Sequence, residues 1–206
     1  MKVEILIPIH RMMDAPCVQS LLNMNCDFHD AGIQTKFCFA NGFNAARARV
    51  GLAKYAGEDA NYGADYYLWL DSDHIYQKVY FDELVKAIEA NGLQMLSGSY
   101  KMRGTEETAH GITENGEFRH FHYKELNDAP EGKLFECDVV GFGFLVMKAQ
   151  FLKDMWAKYK EDLFKLDAVN NATEDVTFCN LVKQEGYKVM FHPKVRVGHM
   201  ELCVRI

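Results

Sequence analysis

The stretch that decides the fold is DYYLWLDSDH, which runs from Asp65 to His74. Its first six residues form the most apolar strand candidate of the chain, and such an unalternating run is typical of a strand covered on both faces. The run passes directly into Asp71, Ser72 and Asp73. Because open α/β sheets place their ligand crevice at the carboxyl ends of strands, we expect a site at this transition.

The segments around this stretch alternate between strand and helix patterns. Asp14, followed by Pro16, is typical of a helix N-terminus, and Asn44 is typical of a second one. The predicted strands are 3–9, 34–40, 65–70 and 94–100, and the predicted helices are 14 to about 31, 45–56 and 79–90. This β-α-β-α-β-α-β order predicts an α/β protein with a mostly parallel central sheet and helices on both faces.

The second half of the chain is less regular. Residues 101–133 are polar and rich in glycine, which predicts a flexible loop region with at most a short hairpin. Two strand-like runs follow within 134–147, broken by Gly141-Phe142-Gly143. Helices are predicted at 148–160 and 174–185, and strands at 187–191 and 195–199. We expect a smaller mixed or antiparallel portion of the sheet here.

Composition excludes several classes of protein. The chain has 206 residues, of which 49% are hydrophobic and 25% charged, so it is long and apolar enough to bury one compact core. Disordered, collagen-like and mini-protein classes are therefore excluded. Lysine and arginine number 23 against 29 acidic residues, a net charge of −6, which disfavours duplex nucleic acid as a partner.

The location of the protein is predicted from two features. The apolar run after Met1 has only about five residues, too short for a signal sequence or a membrane span. The six cysteines include no C-x-x-C pair and no regular spacing, which indicates reduced thiols. Both features favour a cytoplasmic protein.

Asp71 and Asp73 are the first candidate site residues. Two carboxylates one residue apart point to the same side of an extended chain and offer hard oxygen ligands to Mg²⁺ or Mn²⁺ bound to a diphosphate. His199, at the end of the last predicted strand, could complete such a metal site. The alternative is that Asp71, Ser72 and Asp73 form a solvated turn, with His199 an ordinary surface or core histidine.

Glu174 and Asp175 begin the last predicted helix and follow Thr173. One explanation is structural: Thr173 caps the helix, and two acids in its first turn complement the helix dipole. The other is catalytic, with one carboxylate reaching the crevice as a general base for an acceptor hydroxyl. The residues alone leave both explanations open.

Basic residues near the predicted strand ends are candidate phosphate ligands. Arg47 and Arg49 lie on the helix after the second strand, where solvated helix charges are the alternative explanation. Lys101 and Arg103 follow the strand that comes after the aspartate pair, so they are expected at the same sheet edge.

Gly141 and Gly143 bracket Phe142 between two predicted strands. No helix follows them directly, so they are not a dinucleotide-binding fingerprint. Glycines there permit the backbone to approach a ligand closely, and a β-bulge is the alternative.

Six segments taken together resemble the nucleotide-sugar-dependent glycosyltransferases of the GT-A fold, and in particular their small soluble bacterial or viral members. The order and spacing of these segments matter more than any one of them. They are VEILIPIHR, NAARARVGLAKYA leading to DYYLWLDSDH, SGSYKMRG, VVGFGFLVM, EDVTFCNLVKQEGYKV and VRVGH. The resemblance implies a GT-A-like, Rossmann-like single catalytic domain over 1–206, with a nucleotide-sugar-binding half (1–100), a flexible loop region (101–133) and an acceptor-binding and metal-completing half (134–206).

The resemblance also implies roles for the candidate residues. It implies a hexosyltransferase that moves a sugar from a UDP-type or GDP-type donor to a hydroxyl acceptor, expected to be a glycan, with Mn²⁺ or Mg²⁺. Asp71, Ser72 and Asp73 would bind the donor, with Asp73, Asp71 and His199 as metal ligands. Arg49, Lys101, Arg103, Gly141 and Gly143 would also contact the donor, and Asp175, with Glu174 second, would be the base.

Three alternatives stay open. A sugar-nucleotide nucleotidyltransferase shares the α/β sheet and Mg²⁺, but its glycine-rich loop after the first strand is replaced here by 9–13, IHRMM. A non-catalytic module that binds a nucleotide sugar or a metal would keep the crevice without turnover. In a structural or interaction protein, all the acids would be solvated.

Overall fold

A seven-stranded sheet forms the centre of the computed structural model, which describes residues 1–9, 12–42, 44–59, 61–167 and 172–200. The strands are β1 (Lys2–Ile9), β2 (Gln34–Asn41), β3 (Tyr66–Leu70), β4 (His74–Ile75), β5 (Met95–Ser99), β6 (Glu107–Glu114), β7 (Glu117–His122), β8 (Phe135–Glu136), β9 (Phe144–Lys148), β10 (Met190–Arg196) and β11 (Gly198–His199). The α-helices are α1 (Ala15–Asp30), α2 (Ala45–Glu58), α3 (Lys78–Asn91), α4 (Ala149–Tyr159) and α5 (Glu174–Gln184), and a 3-10 helix spans Lys160–Phe164.

The strand order in the main sheet is β2-β1-β3-β9-β5-β10-β8. Strands β2, β1, β3, β5 and β10 run parallel to one another, and β9 and β8 run antiparallel to their neighbours. Ile5 of β1 lies between Phe37 of β2 and Leu68 of β3. The predicted α/β class, the mostly parallel sheet and the antiparallel strands from the second half are thus confirmed.

Both faces of the sheet are buried at its central strands, which explains why β3 and β9 are almost continuously apolar. One face packs against α2, α4, α5 and the 3-10 helix, with Trp69, Phe142, Phe164 and Phe178 in mutual ring contact. The other face packs against α1 and α3. Residues alternate between these faces along β3, so the two cores lie on opposite sides of one strand.

The helix ends follow local signals. The side chain of Asn44 caps α2 by accepting a hydrogen bond from the Arg47 amide at 2.9 Å, as predicted. Asp14 occupies the N-cap of α1, with proline in the first turn, but its side chain makes no capping hydrogen bond. Gly92 ends α3 in the left-handed conformation at φ 64°, which a residue without Cβ adopts at little cost.

The segment 101–133 holds more regular structure than expected. Strands β6 and β7 form an antiparallel hairpin whose two-residue turn is Asn115-Gly116. Both residues have positive φ, 53° and 85°, as a type I′ turn requires. The Asn-Gly pair is the local signal for this turn, and it was available in the sequence.

The end of the chain also differs from expectation. The predicted strands 187–191 and 195–199 are instead one strand, β10, followed by β11, which leaves the main sheet and pairs antiparallel with β4. Strand β4 itself follows Asp73 and was not predicted. Its two residues are too few to carry a periodic signal.

Within the described ranges, no helix combines the length and apolar character needed to cross a bilayer. The cysteines that the structure describes, Cys17, Cys26, Cys38, Cys137 and Cys179, are free thiols. Cys203 lies outside the described residues, as does the His10-Arg11 part of the first matched segment.

Candidate functional site

A cavity of about 350 Å³ opens at the carboxyl ends of β1 and β3. Its lining combines four carboxylates with one guanidinium and a few apolar side chains. The residues are Pro8, Ile9, Asn44, Ala45, Ala48, Arg49, Asp71, Ser72, Asp73, Tyr100, Phe142, Glu174 and Asp175. Asp71, Ser72, Asp73, Arg49, Glu174 and Asp175 were predicted from the sequence, and tertiary folding brings them to one place.

The loop after β3 is fixed by contacts from three other parts of the chain. The Asp71 amide donates to the Gly143 carbonyl at 3.3 Å, and the Tyr76 hydroxyl donates to the Asp71 carbonyl. The Met200 amide donates to the Asp73 carbonyl at 2.8 Å. These hydrogen bonds therefore fix the backbone that carries Asp71 and Asp73.

Pairing between β4 and β11 brings the late segment that carries His199 to this loop. His199 lies directly opposite His74, and their rings stack with centroids 4.4 Å apart and planes 9° apart. His74 is buried, and its Nδ1 donates to Asp73 Oδ1 at 2.8 Å. His199 Nδ1 donates to the Lys101 carbonyl at 2.8 Å, which leaves Nε2 facing Asp73 Oδ2 at 3.3 Å.

Asp73 and His199 each shift the pKa of the other. Burial acts to raise the pKa of Asp73, but hydrogen bonds from His199 and His74 outweigh it and hold that pKa well below its usual range. Burial likewise opposes charge on His199. The hydrogen bonds to Asp73 and to the Lys101 carbonyl outweigh this effect and raise the pKa of His199.

Asp73, His74 and His199 form a group that could hold a metal ion. Each offers one ligand atom, and these atoms lie within 4.8 Å of one another. A carboxylate and imidazoles together are a donor set that suits divalent metal ions. His74 Nε2 is buried without a hydrogen-bond partner in the described structure, and His74 Nδ1 orients Asp73 through its 2.8 Å hydrogen bond.

Asp71, predicted as a metal ligand, lies outside this group. Its Oδ1 accepts from Arg49 Nη2 at 2.8 Å, and Arg49 Nη1 donates to Glu174 Oε1. Arg49 is 5% exposed and lies 5.0 Å from the centre of the Phe142 ring. Its interpretation as a solvated helix charge is therefore wrong, whereas Arg47 on the same helix is exposed.

The charge of Arg49 is held by its partners. Burial acts to lower the pKa of Arg49, but the negative charges of Asp71 and Glu174 outweigh it and raise that pKa. Arg49 Nε is buried and has no hydrogen-bond partner in the described structure. Arg49 thus links the end of β3 to the start of α5 at the cavity floor.

Glu174 and Asp175 occupy different environments although they are adjacent. Glu174 is buried and committed to Arg49. Asp175 is half-buried. Among the described residues, its Oδ1 accepts one hydrogen bond from the Thr173 hydroxyl and one from the Val176 amide at 2.9 Å. The expected capping bond from Thr173 to the helix is absent in this described segment, because its hydroxyl points to Asp175 instead.

Four other residues that were expected to contact the sugar donor lie outside the cavity lining. Lys101 Nζ pairs with Glu106 at 2.8 Å, and Arg103 binds Asp73 and His199. A Cβ on Gly141 would lie 1.9 Å from the Tyr100 hydroxyl, and one on Gly143 would lie 2.7 Å from His74 Nε2. The close approach that these glycines permit is therefore to the protein's own side chains.

Sequence reasoning missed His74 and Tyr100. His74 follows Asp73 directly, so its position in the chain was a usable signal. Tyr100 gave none, because a tyrosine at a strand end is common. It is buried, and its hydroxyl accepts a hydrogen bond from the Gly143 amide at 3.0 Å, so it supports the loop beside the cavity.

Comparison with known proteins identifies the fold and not the family. No protein-family model and no curated protein matches the chain. A197 from STIV is similar in structure at a TM-score of 0.65 and 19% identity, over 97% of this chain and 86% of that one. GalNAc-T7, solved with UDP, GalNAc and Mn²⁺, is similar at a TM-score of 0.56 and 12% identity, over 96% of this chain and 43% of that one. The GT-A-like fold is thereby confirmed.

Proposed function

We propose that this protein is a metal-dependent glycosyltransferase that moves a sugar from a nucleoside diphosphate sugar to a hydroxyl acceptor. The observation that carries the proposal is the pairing of Asp73 with His199 at one side of a cavity that also holds Asp175. A metal-ligand pair and a separate carboxylate are the two parts that such a transfer needs. The similarity in fold to GalNAc-T7 supports the same class of reaction.

The charge balance of the cavity supports a divalent cation. Asp71, Asp73, Glu174 and Asp175 contribute four carboxylates to the lining, and Arg49 is the one guanidinium among the described lining residues. Arg49 already pairs with two of these carboxylates. A diphosphate is itself an anion, so its binding here requires further positive charge.

Asp73 and His199 would hold that cation, with His74 orienting Asp73 through its 2.8 Å hydrogen bond. The donor set of carboxylate oxygen and imidazole nitrogen fits Mn²⁺, and also Mg²⁺ with water completing its shell. When bound, the ion neutralises the negative charge that develops on the departing diphosphate. Asp71 and Ser72 line the cavity beside this pair and would contact the donor.

Asp175 is the better base of the two adjacent acids, because Glu174 is committed to Arg49. In the transfer, the acceptor oxygen forms a bond to the anomeric carbon, and the bond from that carbon to the diphosphate oxygen breaks. The electron pair leaves with the diphosphate, and the acceptor proton passes to Asp175. This assignment belongs to an inverting displacement with a glycan hydroxyl as acceptor.

A thermal-shift panel tests the proposal. The protein is heated with UDP, GDP, CDP, ADP or TDP, each with and without Mn²⁺. At a ligand concentration about 100-fold above Kd we expect one nucleotide with Mn²⁺ to raise Tm by about 5 to 10 °C, because binding to the native state stabilises it by about 2.7 kcal/mol. Asp73→Asn should abolish the rise, and Asp162→Asn, an exposed acid on the 3-10 helix, should keep it.

The panel can also refute the proposal. Stabilisation that does not depend on Mn²⁺ would overturn metal dependence, and no stabilisation by any nucleotide would overturn the donor class. A nucleotide sugar that binds with Mn²⁺ but is neither hydrolysed nor transferred would favour the non-catalytic module.

A further inference from the structure

Arg103 contacts the same two atoms that face each other across the proposed metal site. Its Nη2 donates to Asp73 Oδ2, and its Nε donates to His199 Nε2 at 3.2 Å. The Arg103 guanidinium therefore bridges the Asp73 carboxylate, in the loop after β3, and the His199 imidazole of β11. Among the contacts described above, no other side chain hydrogen-bonds to both Asp73 Oδ2 and His199 Nε2.

The two bridged atoms face one space, which a single donor group or cation can serve. His199 Nδ1 donates its proton to the Lys101 carbonyl at 2.8 Å, so in the neutral ring Nε2 presents a lone pair. Asp73 Oδ2, 3.3 Å away, also presents lone pairs. In this form the two acceptors need a cation or a donor group that serves both, and the Arg103 guanidinium does so, whereas a proton on Nε2 would make His199 itself a donor to Asp73 Oδ2.

The backbone beneath Arg103 is held, so only the side chain is free to move. The Met102 amide donates to the Glu107 carbonyl at 2.9 Å, and the Thr105 amide donates to the Met102 carbonyl at 3.3 Å. Gly104 closes this turn at φ 69°. The Arg103 side chain is 52% exposed, and a long side chain with this exposure can leave the site by rotating into water.

We infer that Arg103 is a built-in competitor of the metal ion: its guanidinium holds Asp73 and His199 until a divalent cation displaces it. This inference rests on the metal site of the proposed function. A cation between Asp73 Oδ2 and His199 Nε2 needs the lone pairs that Arg103 uses, so the two cannot be bound there together. Arg103 consequently lowers the affinity of the site for metal while it keeps the ligands in position.

Competition and simple charge repulsion make different predictions for a lysine at this position. Lysine keeps the positive charge, but its single ammonium lacks the planar fork that reaches both atoms. If Arg103 competes through its two hydrogen bonds, Arg103→Lys should bind metal more tightly than the wild type. If Arg103 only repels the ion, Arg103→Lys should match the wild type.

The test is calorimetric titration of each protein with MnCl₂ alone, without nucleotide. We expect Arg103→Gln to bind Mn²⁺ about tenfold more tightly than the wild type, because two charge-assisted hydrogen bonds no longer compete. Arg103→Lys should lie between the two. Arg119→Gln is the matched control, since Arg119 is a half-exposed arginine that pairs with Glu114 and Glu125 on the hairpin, and its Kd should equal that of the wild type.

Each remaining outcome decides the inference. If Arg103→Gln binds Mn²⁺ with the same affinity as the wild type, the inference is overturned and the proposed function stands. The same holds if Arg103→Gln binds more tightly but Arg103→Lys binds with wild-type affinity. Tighter binding that survives in the double variant Asp73→Asn, Arg103→Gln also overturns it, because the ion would be bound elsewhere. Absence of Mn²⁺ binding in every variant overturns both the inference and the metal-dependent function.

Discussion

Arg49 and Glu174 are 125 positions apart in the chain and form a buried ion pair at the floor of the cavity. Arg49 also binds Asp71, so a single guanidinium joins the helix after β2, the loop after β3 and the start of α5. This contact commits the Glu174 carboxylate to an ion pair. In the proposed reaction it would leave Asp175 as the available base.

Loss of Arg49 should be strongly destabilising. Arg49→Met leaves Asp71 and Glu174 without their cation in a desolvated place, and we expect a loss of about 3 to 5 kcal/mol in the free energy of unfolding. Arg47→Met, on the exposed side of the same helix, should change that free energy by no more than about 0.5 kcal/mol. Urea titration followed by circular dichroism measures both.

A double-mutant cycle checks the cause of that loss. Because Glu174→Gln removes one of the stranded charges, the double variant Arg49→Met, Glu174→Gln should lose less than the sum of the two single variants. Additive losses would show that the ion pair is not what stabilises the cavity floor.

Asp175→Asn should abolish sugar transfer while nucleotide binding persists. The amide keeps the acceptor oxygen for the Thr173 hydroxyl and the Val176 amide but cannot take a proton, and general bases contribute about 10²- to 10⁴-fold to rate. Single-turnover assays with the nucleotide sugar selected by the panel measure the effect, and Asp162→Asn serves as the control. A wild-type rate in Asp175→Asn would exclude Asp175 as the base.

Gly143→Ala should destabilise the fold and loosen the metal site. The new Cβ would lie 2.7 Å from His74 Nε2 and 2.8 Å from the Tyr100 ring, so both buried side chains must shift, at a cost of about 1 to 3 kcal/mol. Displacing His74 also disturbs Asp73, which should raise the Kd for Mn²⁺.

The matched substitution at another glycine should have the opposite sign. Gly51 lies within α2 with open space around it, so Gly51→Ala should stabilise the protein by about 0.5 to 1 kcal/mol. Destabilisation of both variants to a similar degree would contradict the close-packing explanation for Gly143.

His110 should make the protein sensitive to acid. Burial lowers the pKa of His110 to about 3, and its Nε2 donates to the Gly98 carbonyl at 3.0 Å. At acidic pH the histidine is therefore protonated in the unfolded chain but stays neutral in the native state. For this reason the free energy of unfolding decreases as the pH falls from about 6.5 toward 3. Between pH 7 and pH 4 this loss amounts to about 3 kcal/mol.

The measurement compares the pH dependence of unfolding in two proteins. His110→Gln keeps a donor for the Gly98 carbonyl but does not titrate, so its unfolding free energy should fall less steeply over this range than that of the wild type. The difference between the two curves isolates His110 from other acid-sensitive groups, such as Asp73. Parallel curves would show that His110 takes up a proton in the native state as readily as in the unfolded chain.

Much of the fold was predictable because its elements carry local signals. The apolar runs of β1 and β3, the cap at Asn44 and the helix over 79–90 each depend on a few neighbouring residues, and each prediction is confirmed. The hairpin formed by β6 and β7 is longer than predicted, although the dipeptide Asn115-Gly116 indicates its turn. Strand β4 and the break between β10 and β11 were not predicted, since two residues form a strand only when a distant partner supplies the hydrogen bonds.

The sequence by itself determined the α/β class, the strand-to-loop transition at Asp71 and the residue types available for chemistry, because periodicity and polarity are local properties of the chain. Only the tertiary structure decided how those residues are used. It placed His199 against His74 and Asp73, committed Glu174 to Arg49, and set Arg103 on the two proposed metal ligands. These contacts join residues 74 and 199, 49 and 174, and 73 and 103, and no local pattern records which distant partner a charged side chain will meet.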